Sequence, residues 1–289
     1  MCATGAHKFP VRNGIPELVR PERVGSVEAF AMSLSLAWTQ DGWGSTEEEY
    51  LMEIPGRDVT HRRSAEWKVK ARSEQALLLL MDSLKPRRVV DLGAGVGWLA
   101  RDLAMSGLEV FALDASMNER VGLLASSVYI RRGRYFERVR GEMDSLPFLD
   151  HSIDLVVCNA SLHYVPSIDL VLREIARVLR ADGTFVMMNS PVHRDDQSAL
   201  RAEEFFRTHL RALGASDGVV QSYHHFRRGA LDESVEKFVG PVTEIAYEPG
   251  MRFRMARRLK GILLRMELAS FPILYARRGS PPPLAKDLS

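Results

Sequence analysis

The stretch Val89-Val90-Asp91-Leu92-Gly93-Ala94-Gly95-Val96-Gly97-Trp98-Leu99-Ala100 decides the fold. An apolar run closing on a carboxylate, a glycine-dense turn and a new apolar start set a strand, a tight loop and a helix in immediate succession. Glycine suits the loop because the turn is tight and a ligand must come close to the backbone, which any Cβ would obstruct. A Gly-x-Gly fragment alone is a weak signal, since such turns also arise for purely structural reasons.

The surroundings supply the specificity. Polar and apolar residues recur at helical spacing from Glu47 to Leu84, and Pro86 stops that helix just ahead of the strand. Downstream, strands are expected at Arg88 to Leu92, Glu109 to Leu113, near Phe136 to Arg140, Ile153 to Cys158 and Thr184 to Asn189. Helices are expected from about Gly97 to Ser106 and from Ile168 to Arg180. Strand and helix alternating at this pitch predict a doubly wound α/β domain with a parallel sheet covered on both faces. Asp114, at the end of the second strand, can accept hydrogen bonds from both hydroxyls of a ribose. Asp91 places a second carboxylate by the loop, where it suits a cationic ligand and disfavours a phosphate-bearing dinucleotide.

Together the glycine loop, the acidic strand end, the turn Leu146-Pro147-Phe148 and the strand end Asn159-Ala160-Ser161-Leu162-His163-Tyr164 resemble the class I S-adenosylmethionine-dependent methyltransferase family of small-molecule type. The resemblance is strong from Val89 to Pro191 and loose elsewhere. It implies a Rossmann-like, seven-stranded, mostly parallel sheet with an antiparallel last strand, S-adenosyl-L-methionine as cofactor and S-adenosyl-L-homocysteine as product. By resemblance Asp91, Gly93, Ala94, Gly95 and Gly97 line the methionine and ribose end, Asp114 with the adjoining Ala115 holds the ribose, and Asn159 and Leu162 border the methionine moiety. Glu142 stands where the family's adenine-binding acid is found, with Met143 offering a backbone amide and Asp144 a nearby competitor.

Methyl transfer from a sulfonium is an in-line displacement, so the chain must supply alignment and, for a protonated acceptor, a base. His163, at the ligand-binding edge of the sheet with Tyr164 beside it, is the candidate base; a pocket wall is the equal alternative. Cys158, inside the apolar run 155–160, reads as a buried inert thiol. Trp98 reads as core packing or as a cofactor contact. His61, Arg62, Arg63, Trp67, Lys70 and Arg72 precede the core. In the resembling proteins such a leading helix covers the cofactor and shapes the acceptor pocket; a solvated helix face is the alternative.

Outside this core, residues 1–45 read as an accessory segment and separate lobe with one short helix from Ser26 to Trp38. Residues 46–278 form the methyltransferase domain, and 279–289 read as a disordered tail. Beyond Pro191 a helix from about Gln197 to Ala212 is expected, then apolar runs at Val242 to Tyr247 and Phe271 to Ala276 that could close the sheet. The phrase from His7 to Val19 resembles the segment after the second cysteine pair of a small zinc ribbon. Only Cys2 and His7 are at hand as ligands, so no structural zinc is expected, and the remnant would serve as a substrate cap or a homodimer contact. Arg252 to Arg265 carries six basic residues at helical spacing, a solvated face or a surface for an acidic partner.

Composition narrows the classes further. Net charge is 39 − 37 = +2 and only two cysteines occur in 289 residues, which argues against a disulfide scaffold and fits a reducing, cytoplasmic setting. There is no apolar run long enough to span a membrane and no signal core. A small-molecule methyltransferase is therefore the leading expectation. RNA methylation and a non-catalytic cofactor-binding protein remain as alternatives, and a dehydrogenase ranks low because the loop lacks Gly-x-Gly-x-x-Gly.

Overall fold

The structure is a computed structural model that describes residues 8–264 and 267–279. Most of the expected tail, and both Cys2 and His7, lie outside the described residues. The chain opens with a hairpin of β1 (Val11–Arg12) and β2 (Ile15–Pro16), turned on Asn13 and Gly14, whose φ values of 52° and 73° are those of a two-residue hairpin turn. Helices α1 (Val24–Gln40), α2 (Glu48–Glu53) and α3 (Ser64–Leu84) follow. Then β3 (Arg88–Leu92), α4 (Trp98–Met105), β4 (Glu109–Asp114), α5 (Ser127–Arg131), β5 (Glu137–Arg140), β6 (Ile153–Asn159), α6 (Ile168–Val178) and β7 (Leu179–Met188) build the doubly wound body. After it come β8 (Val192–His193), α7 (Asp196–Ala212), α8 (Asp217–Gln221), β9 (Phe226–Arg227), α9 (Arg228–Phe238), β10 (Val242–Ile245), α10 (Met251–Leu264) and β11 (Ile273–Arg277).

Seven strands join in the order β10-β11-β7-β6-β3-β4-β5. The pairs β3·β4, β3·β6, β4·β5 and β6·β7 are parallel, and β11, last in sequence, runs antiparallel to both its neighbours. Consecutive apolar residues serve opposite faces. Val89 and Leu155 pack with Leu77, Leu99 and Leu103 on one side, whereas Val90 and Val156 pack with Ile175, Leu231 and Val235 on the other. Burial on both faces explains why these strands read as unbroken apolar runs and not as alternating ones. The chain leaves β3 to form β4 on one side and returns to form β6 on the other, so the crevice outside their carboxyl ends is where such a sheet takes a ligand.

Three expectations change. The single helix expected over 47–84 is two, because the chain turns at Ile54-Pro55 and α3 starts afresh where the Asp58 carboxylate accepts from the Arg63 and Thr60 amides at 2.7 and 3.0 Å. The strand expected at Thr184 begins at Leu179, paired with Ile153, which ends α6 at Val178. The N-terminal segment is no separate lobe: Ile15 is fully buried in the same core as Leu77 and Val89. The Leu18 amide donates to the Arg140 carbonyl at 2.7 Å, and Glu17 pairs with the buried Arg140 guanidinium at 2.6 Å. Among the described residues no helix is long and apolar enough to cross a membrane.

Candidate functional site

A cleft opens at the carboxyl end of β3. One wall is the glycine loop with Asp91 behind it; the other carries Trp38, Trp43, Tyr50, Trp67 and Lys70 from the first three helices and their links. Gly93, Gly95 and Gly97 have φ of 77°, 55° and 74°, the left-handed region. A Cβ on Gly93 would stand 2.3 Å from the Ser161 Cβ, whose hydroxyl donates to the Leu92 carbonyl at 2.6 Å, so this glycine is demanded by both dihedral and space. The loop is tied down by its own amides: Gly93 and Ala94 donate to the Leu113 carbonyl at 2.8 and 3.0 Å, and Gly95 donates to the Asp114 carboxylate at 2.8 Å.

Asp91 is 1% exposed, and among the described residues neither of its carboxylate oxygens has a well-aligned hydrogen-bond partner, the nearest donor being the Ala100 backbone amide. Burial and the nearby Asp114 charge push its pKa up to about 7, with the Ala100 backbone amide and then the Lys70 ammonium pulling the other way. Asp114 accepts from the Gly95 and Ser116 amides at 2.8 and 2.7 Å, and burial raises its pKa too. Ala115, next to it, accepts from Arg140 Nε through its carbonyl at 3.1 Å. Two carboxylates held close, one with no side-chain donor, call for a ligand that brings positive charge and hydroxyl or amine donors.

On the far side of Asp114, Glu142 is already engaged. Arg23 Nε lies 2.6 Å from its carboxylate and Arg20 Nε 3.6 Å, while Arg23 also pairs with Asp144 at 2.9 Å. The N-terminal segment thus reaches across to both acids that the sequence offers for an adenine amino group. Met143 is half-buried against the apolar cluster that holds Val90 and Val156. Asn159 lines the cleft, its Oδ1 accepting from Asn189 Nδ2 at 2.8 Å.

The strand-end residues part company with expectation. Leu162 is fully buried with Val90, Val156 and Ile175 and is absent from the cleft wall, because the short helical turn Leu162–Tyr164 points it inward. His163 is 7% exposed, with Nδ1 hydrogen-bonded to the Ser190 hydroxyl at 3.0 Å and its ring against Tyr164 and Tyr223. Burial holds its pKa well below the usual histidine range. Tyr164 accepts from the Trp38 indole at 3.3 Å and supports a cleft residue without being one. His163 is not among the residues that line the cleft; its ring packs behind that wall. Cys158 is fully buried, and burial raises its thiol pKa.

Sequence reasoning missed Trp38, Trp43 and Tyr50. The signal was present, because all four tryptophans of the chain, 38, 43, 67 and 98, line this one cleft. Of the leading basic group, Trp67 and Lys70 face the cleft, Arg63 lies 5.1 Å from the Trp43 ring centre, and His61, Arg62 and Arg72 are exposed. Trp98 is 5% exposed, packs on Trp67 with ring centres 5.8 Å apart and borders the cleft. No cluster of three or more histidine, cysteine, aspartate or glutamate side chains suited to a metal occurs among the described residues.

Comparison with known proteins places this geometry. Residues 90–187 match the family described as methyltransferase domain. An uncharacterized methyltransferase YcgJ of Bacillus subtilis (strain 168) is 33% identical over 164 residues, 56% of this chain and 58% of that protein, so the chain spans little more than half of that relative. A malonyl-[acyl-carrier protein] O-methyltransferase of Pectobacterium atrosepticum is 26% identical over 222 residues, 75% of this chain and 85% of that one. The crystal structure of Bacillus YcgJ covers 72% of this chain and all of its own at 20% identity with a TM-score of 0.53, a likeness of fold. With that fold, that matched stretch and a glycine loop between two carboxylates, residues 90–187 are similar to a methyltransferase domain, and the fold is shared with a methyltransferase of known structure.

Proposed function

We propose that the chain transfers the methyl group of S-adenosyl-L-methionine to an O, N or C atom of a small-molecule acceptor and releases S-adenosyl-L-homocysteine. The observation that carries this reading is Asp91, a buried carboxylate with no side-chain donor on either oxygen, on the wall of a glycine-lined cleft. The donor's ammonium would supply the missing partner, and its sulfonium a methyl carbon open to in-line attack. Each oxygen of Asp114 accepts one amide and keeps a lone pair for a ribose hydroxyl. Gly93, Ala94, Gly95 and Gly97 would let the nucleoside approach the backbone, with Ala115 and Met143 at its edge, Asp144 near Glu142 and Asn159 beside the methionine chain. Glu142 would bind the adenine amino group only by sharing its carboxylate with Arg23.

What the chain's own residues contribute is alignment and the exclusion of water by the aromatic wall. His163, neutral and bonded to Ser190, supports that wall from behind. Residues 46–278 make up the catalytic unit in this reading and residues 1–45 its cover. Calorimetry tests it: S-adenosylmethionine and S-adenosylhomocysteine should bind one to one and NAD should not, and Asp91→Asn and Asp114→Ala should each weaken both adenosyl ligands. Failure of either adenosyl ligand to bind removes the reading. Transfer of label to RNA in preference to small molecules would replace the acceptor class.

A further inference from the structure

The two walls of the cleft carry opposite chemistry. Among the residues that line it only Asp91 and Lys70 are charged, and they belong to different walls. The Lys70 ammonium sits 5.4 Å from the Trp43 ring centre and 5.5 Å from that of Trp67, and the Arg63 guanidinium 5.1 Å from Trp43. An aromatic box usually points to a cationic guest, but here the faces of Trp43 and Trp67 already hold the protein's own cations, and a further positive group would be repelled. Trp38 and Trp43 are half-buried and keep surface open toward the cleft, whereas Trp67 and Trp98 are 4% and 5% exposed and back them.

We infer that the acceptor is a planar ring compound bearing an ionised hydroxyl or carboxyl group, its ring laid on Trp38 and against the part of Trp43 left open to the cleft, and its oxyanion paired with the Lys70 ammonium. This rests on the methyl-transfer reading above and adds the acceptor's class. Desolvation lowers the Lys70 pKa to about 8, while Asp91 and Glu66 oppose the shift, so the ammonium is charged at neutral pH but poorly hydrated, the state in which pairing with an anion is strongest. The step balances. The acceptor loses its proton to bulk water and binds as the anion; an oxygen lone pair then forms the O–C bond to the methyl group. The C–S bond breaks with its electron pair going to sulfur, leaving two uncharged products of the bond exchange, an ether or ester and a thioether.

The test uses the chain's own fluorescence, since every tryptophan lies in this cleft. With S-adenosylhomocysteine saturating, four probes are titrated: 4-hydroxybenzoate, benzyl alcohol, benzylamine and hexanoate. The anionic ring should quench with a Kd at least about 10-fold below that of the cationic ring, the neutral ring and the ringless acid, one charge-assisted contact plus one stacked face. Lys70→Met should erase that preference while changing S-adenosylhomocysteine affinity less than about 3-fold, and Lys70→Arg should retain it. Trp43→Leu, which leaves Lys70 in place, should weaken all three aromatic probes and leave hexanoate unchanged. Tighter binding of benzylamine, equal binding of hexanoate, or loss of S-adenosylhomocysteine affinity in Lys70→Met would overturn the inference; the last result would assign Lys70 to the donor's carboxylate. Wild-type protein that fails to bind S-adenosylhomocysteine would instead sink the methyl-transfer reading itself.

Discussion

The two walls of the cleft are made in different ways. The glycine wall is backbone, drawn from a short stretch after β3, with dihedrals that only glycine takes comfortably and amides already spent on Leu113 and Asp114. The aromatic wall is side chain, gathered from residues 38, 43, 50, 67 and 70 on separate helices and links. A wall of backbone tolerates almost no change at its glycines but demands little of the rest of the chain. A wall of side chains can be exchanged piece by piece, and its specificity changes with each exchange.

The sharpest way to break the contrast is Gly93→Val. A Cβ there meets Ser161 at 2.3 Å and forces a β-branched residue to φ of 77°, so donor binding should vanish and stability should fall by about 3 kcal/mol or more. Near-wild-type binding in this variant would show that the backbone wall is not the donor site. Next in size is Asp91→Asn, expected to weaken S-adenosylhomocysteine by about 10- to 100-fold. The same variant should stabilise the ligand-free protein by roughly 1–2 kcal/mol at pH 8.

That gain has a defined pH course. A carboxyl whose pKa is raised to about 7 in the fold, against the ordinary aspartate value of 3.8, holds more protons folded than unfolded between those limits. Its contribution to stability is greatest below that range and is lost as pH rises through about 7. The advantage of the Asp91→Asn variant in thermal melts should therefore shrink on acidification and disappear near pH 4; an advantage that grows on acidification would contradict a buried carboxylate with no side-chain donor.

Smaller effects sharpen the comparison away from the walls. His163→Ala removes a buried ring and its bond to Ser190, and should cost about 2 kcal/mol in denaturant unfolding while changing turnover at saturating donor less than about 3-fold. A drop of several orders in turnover would restore the base role. Cys158→Ala should cost about 1 kcal/mol and leave turnover untouched, and the native thiol should resist alkylation, since it is fully buried within β6.

The N-terminal segment separates local from tertiary information most clearly. Its helix was legible at Ser26 to Trp38, within the observed Val24–Gln40, yet its place was not. Ion pairs of Arg23 with Glu142 and of Glu17 with Arg140 join residues more than a hundred positions apart, and no short-range spacing announces such a pair. The break at Ile54-Pro55 was likewise hidden, because the helical period resumes on the other side of it.

By itself the sequence determined the alternating strands and helices, the glycine loop and the two acidic strand ends, because each depends on local dihedral freedom and on the period of apolar residues along a few positions. Only the tertiary structure decided that Leu162 and His163 turn away from the cleft, that Glu142 meets Arg23, and that four scattered tryptophans and one lysine share a wall. Those outcomes depend on which distant surfaces the packed sheet brings together, and burial, charge pairing and ring contact are properties of that assembly and not of any segment.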